Sequence, residues 1–277
     1  MRSLYALNIP CLLFGSAATL LAHASIAQEP VDVVFRSKVD GADQRYVLML
    51  PEGFDPKQSH SVLIALHGHG SDRWQFVKDD RDECKAARDI AAKHQLIYAS
   101  PDYRAKTSWM GPKAEADVCQ ILVDLKAKYR VDKVIFSGGS MGGTGALTFA
   151  ALHPDLVDGV VAMNATANHL VYDQFQEAIA DSFGGTKKEK ADEYRKRSAE
   201  LYSDRLTMPI AMTTGGQDRT VPPDSVVRLA KALEMDRRAV KLIHQPDGEH
   251  STTYADAITA FEFVLEALAK SQGKSAK

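Results

Sequence analysis

The feature that most constrains the fold of this chain is a regular alternation of short apolar runs and amphipathic segments. Eight runs have the length and composition of strands: 31–35, 45–50, 62–67, 96–100, 133–137, 159–163, 210–213 and 240–244. Five segments have helical spacing: 81–93, 114–129, 141–152, 225–233 and 254–269. The pattern predicts an α/β protein with a doubly wound, mostly parallel eight-stranded sheet, helices on both faces and an antiparallel lead-in of two strands.

The first 27 residues predict export. Arg2 is followed by an apolar stretch at 12–21 and then by small residues that end at Ala27. This order is typical of a secretory signal peptide cleaved after Ala27, which leaves 28–277 as one catalytic domain in a secreted or periplasmic protein. Polar residues interrupt the apolar stretch, so we expect no stable membrane anchor.

The net charge bears on binding partners, and the cysteine content bears on disulfide formation. The 277 residues carry a formal net charge of −2, which provides no basic surface for nucleic acid. Cys84 and Cys119 remain after the leader. In an oxidising compartment they either form a disulfide or stay as two thiols.

A glycine-rich turn indicates nucleophilic catalysis. Gly138-Gly139-Ser140-Met141-Gly142 lies between a predicted strand and a predicted helix, which is the setting of a G-x-S-x-G nucleophile turn. Glycines flank the serine because a Cβ there would collide with neighbouring backbone. No G-K-[ST] follows, which disfavours a phosphate-binding loop. Ser140 is therefore the predicted nucleophile.

Two later loops offer the partners of this serine. Asp218 follows the strand at 210–213, and His250 follows the strand at 240–244. The order Ser, Asp, His is the one found in hydrolases built on such sheets. We predict His250 as general base and Asp218 as the acid that orients it, and we interpret Asp224 as a helix cap.

The segment His67-Gly68-His69-Gly70 resembles the H-G-x-G oxyanion turn of α/β hydrolases. That resemblance implies backbone N–H donors at His69 and Met141, with His67 in a structural role. His67 and His69 have no evident third ligand nearby, so no metal site is predicted.

Taken together, these motifs resemble the esterase and prolyl-oligopeptidase-like branch of the α/β-hydrolase superfamily. The segment 45–54 resembles the opening of such domains, and 184–186 resembles the region before their acid strand. We expect no room for the N-terminal propeller of the peptidases. The resemblance therefore implies a free-standing esterase, similar to secreted feruloyl, acetylxylan or polyhydroxyalkanoate esterases, that acts on small or polysaccharide-linked esters without a cofactor.

Several finer interpretations stay open. The polar segment 164–208 is either a solvated helical insertion or a cap over the site, and Trp109, Tyr103 and Trp74 either line a substrate pocket or pack in the core. Peptide hydrolysis is an alternative activity that needs an anionic anchor for a substrate amine, for which Glu115 and Asp117 are candidates. An inactive binding module on the same fold is a third possibility.

Overall fold

The computed structural model describes residues 29–104 and 106–275. Its strands are β1 (Val31–Arg36), β2 (Asp43–Met49), β3 (His60–Leu66), β4 (Ile97–Pro101), β5 (Val131–Gly139), β6 (Gly159–Met163), β7 (Ile210–Gly215) and β8 (Val240–Gln245). Its α-helices are α1 (Gln75–Lys78), α2 (Asp82–Lys93), α3 (Pro112–Lys128), α4 (Met141–Leu152), α5 (Gln176–Phe183), α6 (Ala191–Lys196), α7 (Asp224–Met235) and α8 (Tyr254–Ser275). Two 3₁₀ helices span Pro154–Leu156 and Ala199–Arg205. The predicted leader lies outside the described residues.

The strands form an eight-stranded sheet in the order β1-β2-β4-β3-β5-β6-β7-β8. β2 pairs antiparallel with both β1 and β4, whereas every pair from β4 and β3 through to β8 is parallel. The parallel strands therefore end at one edge of the sheet, and the loops that follow them meet there. This confirms the predicted fold, including the antiparallel lead-in.

Alternate residues of the central strands supply two cores. In β3, Val62, Ile64 and Leu66 face a core shared with α3, α4 and α7, whereas Leu63 and Ala65 face a core shared with α2 and α8. All five residues are fully buried. The two-residue period of a strand thus explains why these runs are apolar throughout.

The segment 164–208 folds into α5, α6 and the second 3₁₀ helix and packs against the domain. Arg197 fixes it there, because the buried guanidinium pairs with Glu115 at 2.6 Å and donates to the carbonyl of Met110 at 2.9 Å. Phe175 packs against His69 with ring centroids 4.4 Å apart and the ring planes tilted by 43°. The segment therefore covers the turn that follows β3.

Both cysteines of the described region are free thiols; Cys84 is buried and Cys119 is half-buried. The disulfide alternative is therefore not formed in this structure. None of the helices in the described part of the chain combines the length and the apolar character needed to cross a bilayer.

Candidate active site

Ser140 lies on the sharp turn between β5 and α4. Its backbone has φ 56° and ψ −119°, a region that residues with a Cβ rarely adopt and that typically costs about 1–3 kcal/mol. Two backbone bonds hold the turn, from the N–H of Ser140 to Met163 O at 2.8 Å and from the N–H of Thr144 to Ser140 O at 2.9 Å. The strain is therefore concentrated on the predicted nucleophile.

The flanking glycines are required by space. A Cβ on Gly138 would lie 2.5 Å from the carbonyl carbon of Gly142, and a Cβ on Gly142 would lie 2.0 Å from Leu66 O. Both distances are far below van der Waals contact. The G-x-S-x-G spacing thus follows from the close approach of β3, β5 and α4.

Asp218 follows β7 and is held rigidly. Its Oδ1 accepts hydrogen bonds from the backbone N–H groups of Thr220 and Val221, at 2.9 and 2.8 Å. Its Oδ2 lies 2.6 Å from Nδ1 of His250. The carboxylate is 1 % exposed, so both of its oxygens are committed to these contacts.

His250 follows β8 and reaches the same edge of the sheet as Ser140. A proton on Nδ1, shared with Asp218, leaves Nε2 as the lone-pair nitrogen. Ser140 and His250 line one cavity. Within the described residues no hydrogen bond yet joins Ser140 Oγ to the imidazole, a geometry that commonly tightens only when substrate binds.

Hydrogen bonds from neighbouring side chains hold the turn that follows β3. The N–H of Gly68 donates to Oε1 of Gln75 at 2.7 Å, and the hydroxyl of Tyr103 donates to His67 O at 2.5 Å. Burial lowers the pKa of His67, against the opposing effect of its contacts with the carbonyl oxygens of Gly68 and Asp102. Across residues 29–104 and 106–275 the N–H groups of His69 and Met141, the two predicted oxyanion donors, make no hydrogen bond. Met141 is fully buried, and in this described part of the chain neither residue is part of the lining of the cavity that contains Ser140 and His250.

The cavity has a volume of about 250 Å³. Its lining residues come from six segments of the chain: Gly68, Gln75, Phe76, Arg81, Asp82, Glu83, Gly139, Ser140, Met163, Asn164, His250, Ser251 and Thr252. Sequence reasoning missed Gln75, Glu83 and Asn164, because no motif marks them. Asn164 directly follows the predicted strand at 159–163, which is the one signal that could have found it, whereas Gln75 and Glu83 carry no such signal.

The aromatic residues proposed as substrate contacts require a correction. Trp109 is 0 % exposed and Tyr103 is 2 % exposed, so both belong to the core. The indole N–H of Trp109 donates to Nδ1 of His69 at 3.2 Å, so Trp109 helps to hold the turn that follows β3. Trp74 is half-buried under Lys78, whose Nζ lies 4.0 Å from the ring centroid. In the described structure, all three lie outside the lining of the cavity.

The two carboxylates proposed as amine anchors are also occupied elsewhere. Glu115 pairs with Arg197 and with His153, and Asp117 pairs with Arg104 and accepts from Ser37. Neither is part of the cavity lining in the described region. Among the described residues, no group of three or more His, Cys, Asp or Glu side chains is arranged to hold a metal ion.

Known structures share this architecture. A dipeptidyl aminopeptidase IV homologue from Bacteroides ovatus superposes with a TM-score of 0.67 at 19% identity, over 87% of this chain and 36% of that one. The acylaminoacyl peptidase of Pyrococcus horikoshii gives 0.67 at 16% identity, over 88% and 42%. A fluorophosphonate-binding serine hydrolase of Staphylococcus aureus gives 0.64 at 18% identity, over 86% and 98%.

The chain thus spans about a third of the length of the first of these structures and less than half of the second. No curated protein matches it in sequence. The model of the prolyl oligopeptidase family matches residues 113–270, which is more than half of the chain and includes Ser140, Asp218 and His250. The protein therefore belongs to the prolyl oligopeptidase family of serine hydrolases with the α/β-hydrolase fold.

Proposed function

We propose that this serine hydrolase cleaves small carboxylic esters through an acyl-enzyme, with Ser140, His250 and Asp218 as its catalytic residues. The observation that carries the proposal is the 2.6 Å contact between Asp218 Oδ2 and His250 Nδ1, beside a cavity that also contains the strained Ser140. A neutral imidazole held in this orientation is suited to accept the serine proton.

The reaction follows from these positions. Ser140 Oγ attacks the ester carbonyl while His250 Nε2 takes its proton, and the N–H groups of His69 and Met141 stabilise the oxyanion. The helix dipole of α4 adds positive potential at Met141. His250 then protonates the departing alcohol, and a water molecule activated by the same imidazole releases the acid from Ser140.

The size of the cavity supports a small acyl or alcohol group. At about 250 Å³ it lies below the range of about 300–1,000 Å³ typical of pockets that enclose drug-sized ligands. Esters carried on a polysaccharide would also fit the proposal, with the acyl group in the cavity and the polymer outside. A thermostable esterase is among the structures that share the fold, with a TM-score of 0.63 at 18% identity.

Peptide or amide hydrolysis is the second candidate. It is favoured by the family match and by the peptidases among the structural neighbours. The same triad can expel an amine, provided that His250 protonates the leaving nitrogen. The two activities differ in substrate, not in the catalytic groups used.

The test compares wild type with Ser140→Ala on p-nitrophenyl acetate and butyrate, acetylated xylan and aminoacyl p-nitroanilides. We expect ester turnover in the wild type that disappears in the variant. Faster cleavage of the anilides would instead favour the peptidase. A folded wild type that is silent on every substrate would favour the inactive binding module.

We also propose that the enzyme acts outside the cytoplasm, on the strength of the sequence before Gln28. Expression of the full chain in a bacterial host, followed by fractionation and N-terminal sequencing, tests this. A periplasmic or extracellular product beginning at Gln28 is expected, and an uncleaved cytoplasmic product would contradict the proposal.

A further inference from the structure

We propose that Glu83 anchors a positively charged amine of the substrate, so that the enzyme prefers esters or amides with an ammonium group close to the scissile carbonyl. This inference rests on the proposed hydrolase function and specifies its substrate class. It concerns a residue that no motif in the sequence singles out.

Glu83 lies beside the nucleophile. It belongs to the first turn of α2 and lines the same cavity as Ser140 and His250. A Cβ on Gly139 would be 3.7 Å from Glu83 Cγ and 3.9 Å from its Oε1. The Glu83 side chain therefore lies next to Gly139, the residue directly before Ser140.

The negative charge of the Glu83 carboxylate is only weakly balanced by neighbouring groups of the protein. Its side chain is 18 % exposed, and it makes no hydrogen bond within the described part of the chain. The nearest cationic group there is Nη1 of Arg81, at 3.9 Å. The Nε and Nη2 atoms of Arg81 are bound to Oδ2 of Asp79 at 2.9 and 2.7 Å, so that guanidinium is largely balanced already.

Apart from Arg81, the described residues that line the cavity place no Lys or Arg side chain next to Glu83. Asp82 also faces the cavity, and its Oδ2 accepts the backbone N–H of Tyr254 at 2.9 Å. Asn164 is 7 % exposed, and its Oδ1 is buried without a hydrogen-bond partner among the described residues. The cavity therefore holds an excess of negative charge and a spare acceptor.

An ammonium group satisfies both features. It carries one positive charge for Glu83 and N–H donors for the carboxylate and for an amide oxygen such as that of Asn164. Charge-assisted bonds of this kind are about twice as strong as neutral ones. A neutral substrate of the same shape would leave the partly buried carboxylate unpaired, which disfavours its binding.

Two substrate families supply this chemistry, because the amine can belong to the acyl part or to the alcohol. Alanine 2-naphthyl ester against 2-naphthyl propionate tests the acyl side, since the two differ in a single ammonium group. Protonated 2-(dimethylamino)ethyl acetate against 3-methylbutyl acetate tests the alcohol side in the same way. The measurement is kcat/KM for each ester with the wild type, Glu83→Gln and Asp89→Asn.

Asp89 provides the matched control, since it lies on the same helix, accepts from the hydroxyl of Tyr254 at 2.8 Å and is outside the cavity lining. In at least one pair we expect the wild type and Asp89→Asn to favour the charged ester by about 10-fold, an energy of about 1.4 kcal/mol. Glu83→Gln should reduce that ratio to about 1. The pair that responds identifies the side of the substrate that carries the amine.

The outcomes separate the anchor from the hydrolase itself. Turnover of the neutral esters with no preference in either pair would overturn the anchor and leave the hydrolase standing. An equal loss on charged and neutral esters in Glu83→Gln would show that Glu83 is structural. Absence of any turnover, with no fluorophosphonate labelling of Ser140, would overturn both proposals.

A measurement on the wild type alone guards against a variant that does not fold. Inhibition of 2-naphthyl propionate hydrolysis is compared for 3-methylbutylammonium and 3-methylbutanol. The cation should inhibit at about 10-fold lower concentration. Equal inhibition by the two compounds would contradict the anchor.

Discussion

Oδ2 of Asp218 lies 2.6 Å from Nδ1 of His250, while Oδ1 of the same carboxylate is fixed by two backbone N–H groups. The carboxylate therefore selects one tautomer of the imidazole and leaves Nε2 free for Ser140. Replacing it by an amide should preserve the shape but not the tautomer.

We expect Asp218→Asn to lower kcat by about 10⁴-fold on a p-nitrophenyl ester, with the melting temperature changed little. Asp224→Asn is the control, because Asp224 is exposed at the start of α7. A kcat for Asp218→Asn within tenfold of the wild type would show that the pair does not orient the base.

The glycines of the nucleophile turn should differ sharply in their tolerance of alanine. Gly142→Ala places a methyl group 2.0 Å from Leu66 O, whereas the nearest atom to a methyl group on Gly139 is 3.7 Å away. Urea unfolding should show a loss of about 3 kcal/mol or more for Gly142→Ala and less than about 1 kcal/mol for Gly139→Ala. Similar losses at the two positions would contradict the packing described for this turn.

Gln75 is predicted to position the oxyanion turn through its 2.7 Å bond from Gly68. Gln75→Leu should lower kcat by about 10-fold with a smaller change in KM, because a displaced donor weakens stabilisation of the transition state more than substrate binding. The matched control is Gln120→Leu, since Gln120 bonds the backbone of Lys38 and Arg36 far from the cavity. A change confined to KM would argue against the positioning role.

A pH-dependent stability is expected from His153. Its contacts with the Cys119 thiol, at 3.7 Å, and with the Glu115 carboxylate, at 2.9 Å, raise its pKa to about 9. A pKa raised in the folded state gives stability that is fully present below about 6.5 and is lost as the pH rises through 9. The free energy of unfolding of the wild type should therefore fall between pH 6.5 and 9 relative to His153→Gln.

Glu115 does not add to the change in the free energy of unfolding between pH 6.5 and 9. Its pKa is lowered to about 2 despite its burial, because His153 and Arg197 stabilise the carboxylate, so its contribution is lost only in acid. Parallel stability curves for the wild type and His153→Gln between pH 6.5 and 9 would contradict the assignment to His153.

The sequence predicts the strands and the main helices because their pattern is local. β6 begins and ends at the predicted residues, as does α4, whose start is fixed by the glycine-rich turn and whose end is fixed by Pro154. Ser140, Asp218 and His250 were located by loops that must meet at the carboxyl edge of a parallel sheet. The glycine-rich motif, the chain order and the topology together predict these positions.

The walls of the cavity could not be predicted in this way. Helix α1, which spans Gln75–Lys78, is too short to show a period, and Glu83 meets Gly139 only through packing between distant parts of the chain. The choice between pocket and core for Trp109 stayed open for a related reason, because its burial depends on His69 and on Phe175 of the insertion. Side chains that meet through tertiary contacts leave no periodic signal.

The most direct test of the central claim is to locate a fluorophosphonate adduct by peptide mass spectrometry. The wild type and Ser251→Ala are compared with Ser140→Ala, since Ser251 is a second serine that lines the cavity. We predict one phosphonylated peptide, modified on Ser140, in the first two proteins and none in Ser140→Ala. An adduct on another residue, or labelling that persists in Ser140→Ala, would contradict the assignment of Ser140 as the nucleophile.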